Sequence, residues 1–224
     1  MNKTKIILIG AGGHATSCID VIEQQKEYEI AGLVGIDTDL NSKNLEYNII
    51  GIDTDLPQLA LQYSHAFITL GQIKSPENRI LLYKKAIELG FILPAIVSPH
   101  AYISPHAKVG NGTIVMHGAI VNAGVTIGNN CIINNQSLLD HHSMVGDNCH
   151  ISTGVCINGN VSIGSGSFIG SGSLIKEGIK IGINSLIGMG LSVRHDIKDS
   201  TTFCGNGKQC LCACIIDTKD KKCG

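Results

Sequence analysis

The stretch "KVGNGTIVMHGAIVNAGVTIGNNCIIN", residues 108–134, has an aliphatic residue at every sixth position. Six residues are a multiple of the two-residue strand period and do not fit the helical period, so each unit predicts a short strand followed by a turn. Three such units make one triangular coil of a parallel β-helix, with the aliphatic side chains stacked inside. The sixteen positions that keep this phase are Ile103, Val109, Val115, Val121, Ile127, Ile133, Leu139, Val145, Ile151, Ile157, Ile163, Ile169, Ile175, Ile181, Ile187 and Val193.

The remaining positions of the repeat support the same prediction. Four places after each aliphatic the residue is mostly small or β-branched, as at Ala107, Thr113 and Ser137. Glycine and asparagine are frequent between the strands, where turns require positive φ. Sixteen units predict a little over five coils.

Residues 1–95 follow a different pattern, in which apolar strands alternate with helices. The strands are "KIILIG" (5–10), "YEIAGLVGID" (28–37) and "AFITLG" (66–71), and "HATSCIDVIEQQ" (14–25) has helical spacing. A second helix is predicted within "SPENRILLYKKAIELGF", with Ser75 as N-cap, Pro76 at the first position and Gly90 at the end. The pattern predicts a small Rossmann-like α/β domain.

Composition narrows the class of partner. The chain has 17 basic and 18 acidic residues and a formal net charge of −1, so it has no excess positive charge to attract nucleic acid or an anionic membrane. We therefore expect a small-molecule partner. The apolar run after "MNKTK" is too short for a secretory or membrane segment, which predicts a cytoplasmic protein. Nine cysteines, an odd number, predict mostly reduced thiols.

The segment "LLDHHSMVGDNCHIS", residues 138–152, concentrates three histidines on the repeat. Leu139 and Val145 point inward, so His141 and His142 are free to face outward. Coil packing does not require imidazoles there. They are either solvated turn residues or functional groups.

From "ILIGAGGHA" through the quoted repeat to "LIGMGLSVRHDI", about residues 3–207, the chain resembles the hexapeptide-repeat sugar O- and N-acetyltransferases of nonulosonic-acid (sialic-acid type) and bacillosamine biosynthesis. The resemblance implies a left-handed β-helix after the Rossmann-like domain, acetyl-CoA as cosubstrate, no resident metal, and a homotrimer. It also implies a role in bacterial surface-glycan or nonulosonic-acid biosynthesis. The boundaries expected are 1–95 for acceptor binding, 96–198 for the β-helix and 199–224 for a carboxyl-terminal cap.

The resemblance assigns roles to individual residues. His141 corresponds to the general base, because imidazole titrates near neutrality and can take the proton of the attacking sugar. His142 stands where the family usually has a carboxylate beside the base, and Asp140 is the alternative partner. His150 and Gly159 correspond to positions near acetyl-CoA. Asn134 corresponds to a position near the acceptor group, although it also fits a turn residue.

The glycine-rich start "IGAGGHA" matches Gly-x-Gly-x-x-Ala through Gly10, Gly12 and Ala15, after a strand and before a helix. Backbone N–H groups there suit phosphate binding. Alone, this pattern is compatible with NAD, with Asp37 as the ribose-binding acid. The resemblance implies instead a nucleotide-sugar or acidic-sugar acceptor bound by Gly12, Gly13, His14 and Asp37. A purely structural tight turn is the third interpretation.

Other interpretations stay open at this stage. His106 and His142 lie two coils apart on one face, with Asp147 as a third potential ligand, which suggests a zinc enzyme similar to the γ-type carbonic anhydrases. A noncatalytic trimeric scaffold is a further possibility, and the residues do not decide between N- and O-acetylation. In the tail, "GNGK" (205–208) resembles a closing turn of the family, and Cys210, Cys212 and Cys214 predict a strand that caps the coil.

Overall fold

The computed structural model describes residues 3–40, 42–204 and, as backbone, 209–211. The chain begins with a mixed α/β part. Its elements, in chain order, are β1 (Thr4–Ile9), α1 (Gly13–Gln25), β2 (Tyr28–Gly35), β3 (Lys43–Asn44), β4 (Tyr47–Ile52), α2 (Leu56–Ala60), β5 (His65–Ile68) and α3 (Glu77–Glu88).

These strands form one sheet in the order β3-β4-β2-β1-β5, parallel except for the β3–β4 hairpin. The predicted strands β1, β2 and β5 and the helices α1 and α3 are confirmed. The hydroxyl of Ser75 accepts the N–H of Glu77 at the start of α3, and Gly90 follows its end with φ of +85°. The hairpin and α2 were not predicted. One sheet face packs on α1, and the other packs on α2 and α3.

A solenoid of short strands follows, wound in the left-handed sense. Its strands are β6 (Ile96–Val97), β7 (Tyr102–Ile103), β8 (Lys108–Val109), β9 (Ile114–Val115), β10 (Ile120–Val121), β11 (Thr126–Ile127), β12 (Ile132–Ile133), β13 (Leu138–Leu139), β14 (Met144–Val145), β15 (His150–Ile151), β16 (Cys156–Ile157), β17 (Ser162–Ile163), β18 (Phe168–Ile169), β19 (Leu174–Ile175), β20 (Lys180–Ile181), β21 (Leu186–Ile187), β22 (Ser192–Val193), β23 (Thr201–Phe203) and β24 (Gln209–Leu211).

The solenoid has three faces, because each strand pairs in parallel with the strand eighteen residues further on. Face 1 contains β7, β10, β13, β16, β19 and β22, and face 2 contains β8, β11, β14, β17 and β20. Face 3 contains β6, β9, β12, β15, β18, β21 and β23, and β24 adds to it antiparallel. We call the turns from face 1 to face 2 the first corner; they are residues 104–107, 122–125, 140–143, 158–161 and 176–179.

The predicted aliphatic ladders are confirmed as the core of the solenoid. From Val115 to Val193 every one of these side chains is at most 3% exposed. The small residues four places later, such as Ala119 and Ser137, are buried between them. The period ends after Val193: Ile197 pairs with Ile181, sixteen residues earlier, so the last coil is two residues shorter.

Turn residues with positive φ recur every six residues, three places after each inward aliphatic. They are Gly112, Gly118, Gly124, Asn130, Gln136, His142, Asn148, Gly154, Asn160, Gly166, Gly172, Gly178, Asn184 and Gly190. The glycines that directly follow an aliphatic serve a different purpose. At Gly110, for example, a Cβ would lie 2.5 Å from the backbone of Gly128 in the next coil. Close contact between coils therefore excludes a side chain there.

The α/β part packs on face 3. The outward side chains Ile96, Ile114 and Ile132 of that face are fully buried in one cluster with α1. In the part of the chain that the structure describes, no element covers face 1 in this way: Tyr102, Ile120 and Leu174 point outward from it and are 42–55% exposed. Within the described ranges, no helix combines the length and the apolar character needed to cross a bilayer.

Candidate functional site

His141 lies at the first corner and is exposed. Gly159, one coil later in the same column, leaves room for its ring. A Cβ on Gly159 would lie 2.5 Å from Nε2 and 3.0 Å from Nδ1 of His141. Because the φ of Gly159 is not positive, the backbone does not require glycine there. The missing side chain of Gly159 instead leaves the space that the His141 imidazole occupies.

His142 is the ring partner of His141. Their Nδ1 atoms are 3.3 Å apart, and the two rings meet edge to face with centroids 5.5 Å apart. His142 has φ of +58°, which turns its side chain toward that of its neighbour. Gly124, one coil earlier, lies under this second ring: a Cβ there would be 2.9 Å from Cδ2 of His142. The two rings thus occupy two spaces, each made by a glycine.

Asp140 does not contact the His141 ring. Its Oδ1 accepts the backbone N–H of His141 at 2.8 Å and the Asn122 amide at 2.9 Å. These two hydrogen bonds lower the pKa of Asp140. The carboxylate therefore orders the turn, and of the two predicted partners of His141 only His142 reaches the imidazole.

A groove of about 470 Å³ runs from the same corner along the later coils. Its polar walls come from Asn158, Lys176, Glu177, Arg194 and His195. Lys176 and Arg194 have the same register position as Asp140, two and three coils further along the solenoid. At ~4.8 Å per coil, their backbones are about 10 and 14 Å from that of Asp140. The groove therefore carries a positive end at a distance from the histidines.

The glycine-rich loop joins β1 to α1 at the carboxyl edge of the sheet. Gly10 has φ of +119° and lies so close to Leu70 that a Cβ would be 2.8 Å from its backbone nitrogen. Gly12 and Gly13 differ from Gly10, because a Cβ on either would meet nothing within 4 Å. Open space above a helix amino terminus suits an anionic ligand.

Two further residues border this loop. Asn44 of β3 donates to the carbonyls of Ala11 and Gly12 and accepts the hydroxyl of Thr16. The strand predicted over 28–37 ends at Gly35, so exposed Asp37 lies two residues beyond β2; it is at the same sheet edge as the loop, because β1 and β2 are parallel neighbours. The structure therefore brings Gly12, Gly13 and Asp37 to one edge.

His14 and His150 are both held neutral. Burial and the nearby Arg79 guanidinium lower the pKa of His14 to about 3. His14 as a whole is partly exposed, but its Nε2 atom is buried and has no hydrogen-bond partner among the described residues. Burial lowers the pKa of His150 to about 4. A protonated imidazole is unfavourable at either position.

The surroundings of His150 give its tautomer. Nδ1 lies 2.5 Å from the carbonyl of Gln72, which can only accept, so this nitrogen carries the hydrogen. Nε2 then accepts the amide of Asn134 at 3.2 Å. His150 is 6% exposed. Both ring nitrogens are thus engaged within the chain, and Asn134 contacts His150 rather than His141.

Arg79 of α3 joins the two parts of the chain. It is 1% exposed and donates to the carbonyls of Ile68 and Leu70 at 2.7 Å and to that of Asn130 at 3.3 Å. Burial lowers the pKa of its guanidinium to about 10. Through these hydrogen bonds, Arg79 holds the end of β5 and the residues that follow it against the solenoid at Asn130.

The predicted residues thus form two groups within one chain. His141, His142 and Gly159 meet at the first corner, between faces 1 and 2. The second group lies on the α/β part and consists of Gly12, Gly13, His14 and Asp37. The α/β part packs on face 3, where it covers His150. One chain does not bring the two groups together.

The zinc arrangement lacks its geometry. Asp147 lies in the turn from face 2 to face 3, where its Oδ1 accepts the N–H of Asn129 at 2.6 Å, whereas His142 lies at the first corner. In the described part of the chain no three His, Cys, Asp or Glu side chains could hold a metal ion together. "GNGK", Cys212 and Cys214 lie outside the described residues, as does the side chain of Cys210.

Sequence reasoning named Gly159, as a position near acetyl-CoA, but missed Gly124 and the residues of the groove. Gly124 differs by eighteen from His142, as Gly159 does from His141, so the coil spacing alone pairs each histidine with its glycine. The same spacing from Asp140 finds Asn158, Lys176 and Arg194. The roles of Asn44 and Arg79 carry no such signal, because they arise from packing between distant segments.

Comparison with known proteins relates this geometry to a family. Residues 5–85 match the PglD N-terminal domain, and residues 106–141 and 142–177 match the bacterial transferase hexapeptide (six repeats). No curated protein matches.

Solved structures cover nearly the whole chain. PerB from Caulobacter crescentus, in complex with CoA and GDP-perosamine, is 32% identical, with 92% of this chain and 96% of that chain covered and a TM-score of 0.85. The acetyltransferase domain of PglB from Neisseria gonorrhoeae, in complex with acetyl coenzyme A, is 29% identical, with 92% and 98% covered and a TM-score of 0.83. WeeI from Acinetobacter baumannii, 21% identical with a TM-score of 0.80, shares the fold. Given the identity to PerB over this length, the chain belongs to the PglD family of hexapeptide-repeat sugar acetyltransferases and is an acyltransferase.

Proposed function

We propose that the enzyme transfers the acetyl group of acetyl-CoA to the amino group of a nucleotide-linked amino sugar, with His141 as the general base. The observation that carries this proposal is the exposed His141 ring, which lies against Gly159 at the same corner as a groove lined by Asn158, Lys176 and Arg194. The neighbour that holds both CoA and GDP-perosamine is an N-acetyltransferase, which favours an amine over a hydroxyl acceptor.

His141 would act by direct proton transfer. The sugar amine attacks the thioester carbonyl carbon, the C–N bond forms and the C–S bond breaks. The proton of the amine passes to Nε2 of His141 and then to the departing CoA thiolate. No covalent enzyme intermediate is needed. Such a base contributes about 10²- to 10⁴-fold to the rate.

The groove gives the donor a direction. Lys176, Arg194 and His195 suit the phosphates of CoA, since charged donors bind phosphate oxygens strongly. The thioester would then lie near His141, with the extended pantetheine arm along the first corner. Asn158, one coil beyond Asp140, lines the groove between the two ends.

The acceptor would bind at the glycine-rich loop. The amino terminus of α1 and the open space at Gly12 and Gly13 suit the diphosphate of a nucleotide sugar. Asp37 would accept a ribose or sugar hydroxyl at the same edge. Asn44 holds the loop in shape, which keeps its N–H groups oriented.

Because one chain keeps this loop away from His141, we propose a homotrimer in which the loop of one protomer faces the histidines of another. Tyr102, Ile120 and Leu174 form an exposed apolar stripe on face 1, beside the first corner. Apolar patches of this kind commonly mark protein interfaces. Closed cyclic symmetry would repeat the shared site at each interface.

The test is mass spectrometry of products after incubation with acetyl-CoA and two panels, amino-sugar nucleotides and nonulosonic acids. Gain of one acetyl group by an amino-sugar nucleotide, insensitive to chelators and lost in His141→Asn, is the expected result. Acetylation of nonulosonic acids alone would replace the N-acetyl assignment by O-acetylation. Undiminished activity in His141→Asn would remove the base assignment. The expected context is bacterial surface-glycan or nonulosonic-acid biosynthesis in the cytoplasm.

A further inference from the structure

His142 occupies a backbone position that the fold otherwise gives mainly to glycine and asparagine. The left-handed position recurs every six residues from Gly112 to Gly190, and over that span only Gln136 and His142 there are neither Gly nor Asn; Ser200 holds the corresponding position in the shortened last coil. Non-glycine residues are uncommon in this conformation, although Asn, Asp and His are enriched among them. The backbone therefore accepts His142, and the contact of its ring with a candidate base suggests a role in that base's chemistry.

The space around the two rings is matched to them. Gly124, below His142, and Gly159, above His141, each lie where a Cβ would overlap a ring atom. The edge-to-face arrangement at 75° directs one Nδ1 toward the other. In the described chain His141 has no other side-chain hydrogen bond to its ring, because Asp140 is bonded to Asn122 and to the backbone.

A contact between two imidazole Nδ1 atoms requires one proton between them, since one nitrogen must donate and the other accept. If His142 donates, His141 carries its hydrogen on Nε2 and cannot take a proton there. If His141 donates, its Nε2 has a free lone pair. The role of His141 as a base therefore needs His142 as the acceptor.

We propose that His142 is a positioning residue that fixes His141 in the Nδ1–H tautomer, so that the pair acts as the base with a single proton shared between the two Nδ1 atoms. This inference rests on the proposed function. As Nε2 of His141 receives the proton of the sugar amine, the shared hydrogen bond becomes charge-assisted and stabilises the new positive charge. A carboxylate would do this by opposite charge; here a neutral ring does it by accepting.

Other titratable groups around the pair are few. Asp140 belongs to the same turn, Glu177 follows Gly159 in the column of His141, and His106 precedes Gly124 in the column of His142. Lys176 lies beside Glu177 in the groove. None of these contacts either ring through a hydrogen bond. Within the described residues, the only side-chain hydrogen bond to either ring is thus the one between the two imidazoles.

The first test reads the tautomers directly in ¹⁵N-labelled protein without substrate, by long-range ¹H–¹⁵N correlation of the imidazole rings at pH 8. The expected result is hydrogen on Nδ1 of His141 and on Nε2 of His142, assigned with the single His142→Asn and His141→Asn variants. Hydrogen on Nε2 of His141 would overturn the inference. Because no turnover is needed, this outcome is separate from any failure of the proposed acetyl transfer.

The second test uses two variants that suit the left-handed backbone, so that folding is preserved. In His142→Asn the side-chain oxygen can still accept from Nδ1 of His141, and kcat should stay close to that of the wild type. In His142→Gly the acceptor is lost, and kcat should fall about 10- to 100-fold, as when other orienting partners are removed, with KM for acetyl-CoA unchanged. Equal kcat in both variants would overturn the inference.

Discussion

Replacing Gly159 by alanine tests whether the space above His141 matters for activity. A Cβ there would lie 2.5 Å from Nε2 of the imidazole. Nonbonded contacts of this kind require about 3.5 Å, so the ring must move by about 1 Å. A misplacement of about 1 Å can cost on the order of 100-fold in rate, which corresponds to about 2.7 kcal/mol of transition-state stabilisation.

Stability should not follow activity in this variant. The backbone of Gly159 is not in the left-handed region, and the same register position two coils earlier is Ala123. Alanine at a compatible position adds about 0.4–1 kcal/mol by restricting the unfolded chain. Tm should therefore stay the same or rise slightly. Steady-state acetyl transfer and thermal unfolding of the same preparation make the comparison.

The matched control is Thr153→Ala, at the same register position of the corner between faces 3 and 1. Thr153 is exposed and away from His141, so both kcat and Tm should be unchanged. Wild-type kcat in Gly159→Ala would refute the requirement for this space. A large fall in Tm would show that glycine is needed by the fold and not by the ring.

Three further predictions address the rest of the molecule. His14 and His150 have pKa values lowered to about 3 and about 4 from an ordinary value of 6.5, so their contribution to stability is complete above about pH 6.5 and is lost as the pH falls toward 4. At pH 5 the free energy of unfolding, measured with urea, should be lower by up to about 2 kcal/mol per histidine. The free energy of unfolding of His150→Gln should depend less on pH than that of the wild type. Changing Lys176 and Arg194 to glutamine should raise KM for acetyl-CoA about 10-fold or more at low salt without changing kcat, while the phosphate-free donor S-acetyl-N-acetylcysteamine, as the control, shows no change; an equal effect on both donors would contradict phosphate binding in the groove. Ile120→Glu should yield a smaller species by light scattering and lose activity, because a charge on face 1 opposes burial there; a trimer of unchanged mass would exclude face 1 as the interface.

The sequence period predicts much of this fold because packing in the solenoid is local and repetitive. Each inward aliphatic meets its equivalent eighteen residues away, so the pattern determines strands, faces and core together. The six-residue pattern does not predict that the last coil is two residues shorter. Ile197, which takes the inward position there, lies outside the phase of the other aliphatic residues. The β3–β4 hairpin was missed because its strands have little apolar alternation.

Site prediction succeeded where exposure follows from register and was incomplete where two parts of the chain meet. His141 and His142 face outward and are exposed, because no segment among the described residues covers the first corner. His150 also points outward from its strand, yet the α/β part covers it and Gln72 binds it. That contact joins residues 78 apart, and no repeat encodes it.

The three-strand coil has a consequence for how such enzymes change. Deleting six residues leaves every aliphatic in phase, so the interior would tolerate the loss. All later outward positions would nevertheless rotate by a third of a turn, and a side chain that faced one neighbour would face another. Only removal of eighteen residues preserves direction while shortening the rod by about 4.8 Å. Lineages built on this architecture can therefore relocate surface chemistry around the axis without redesigning what lies within.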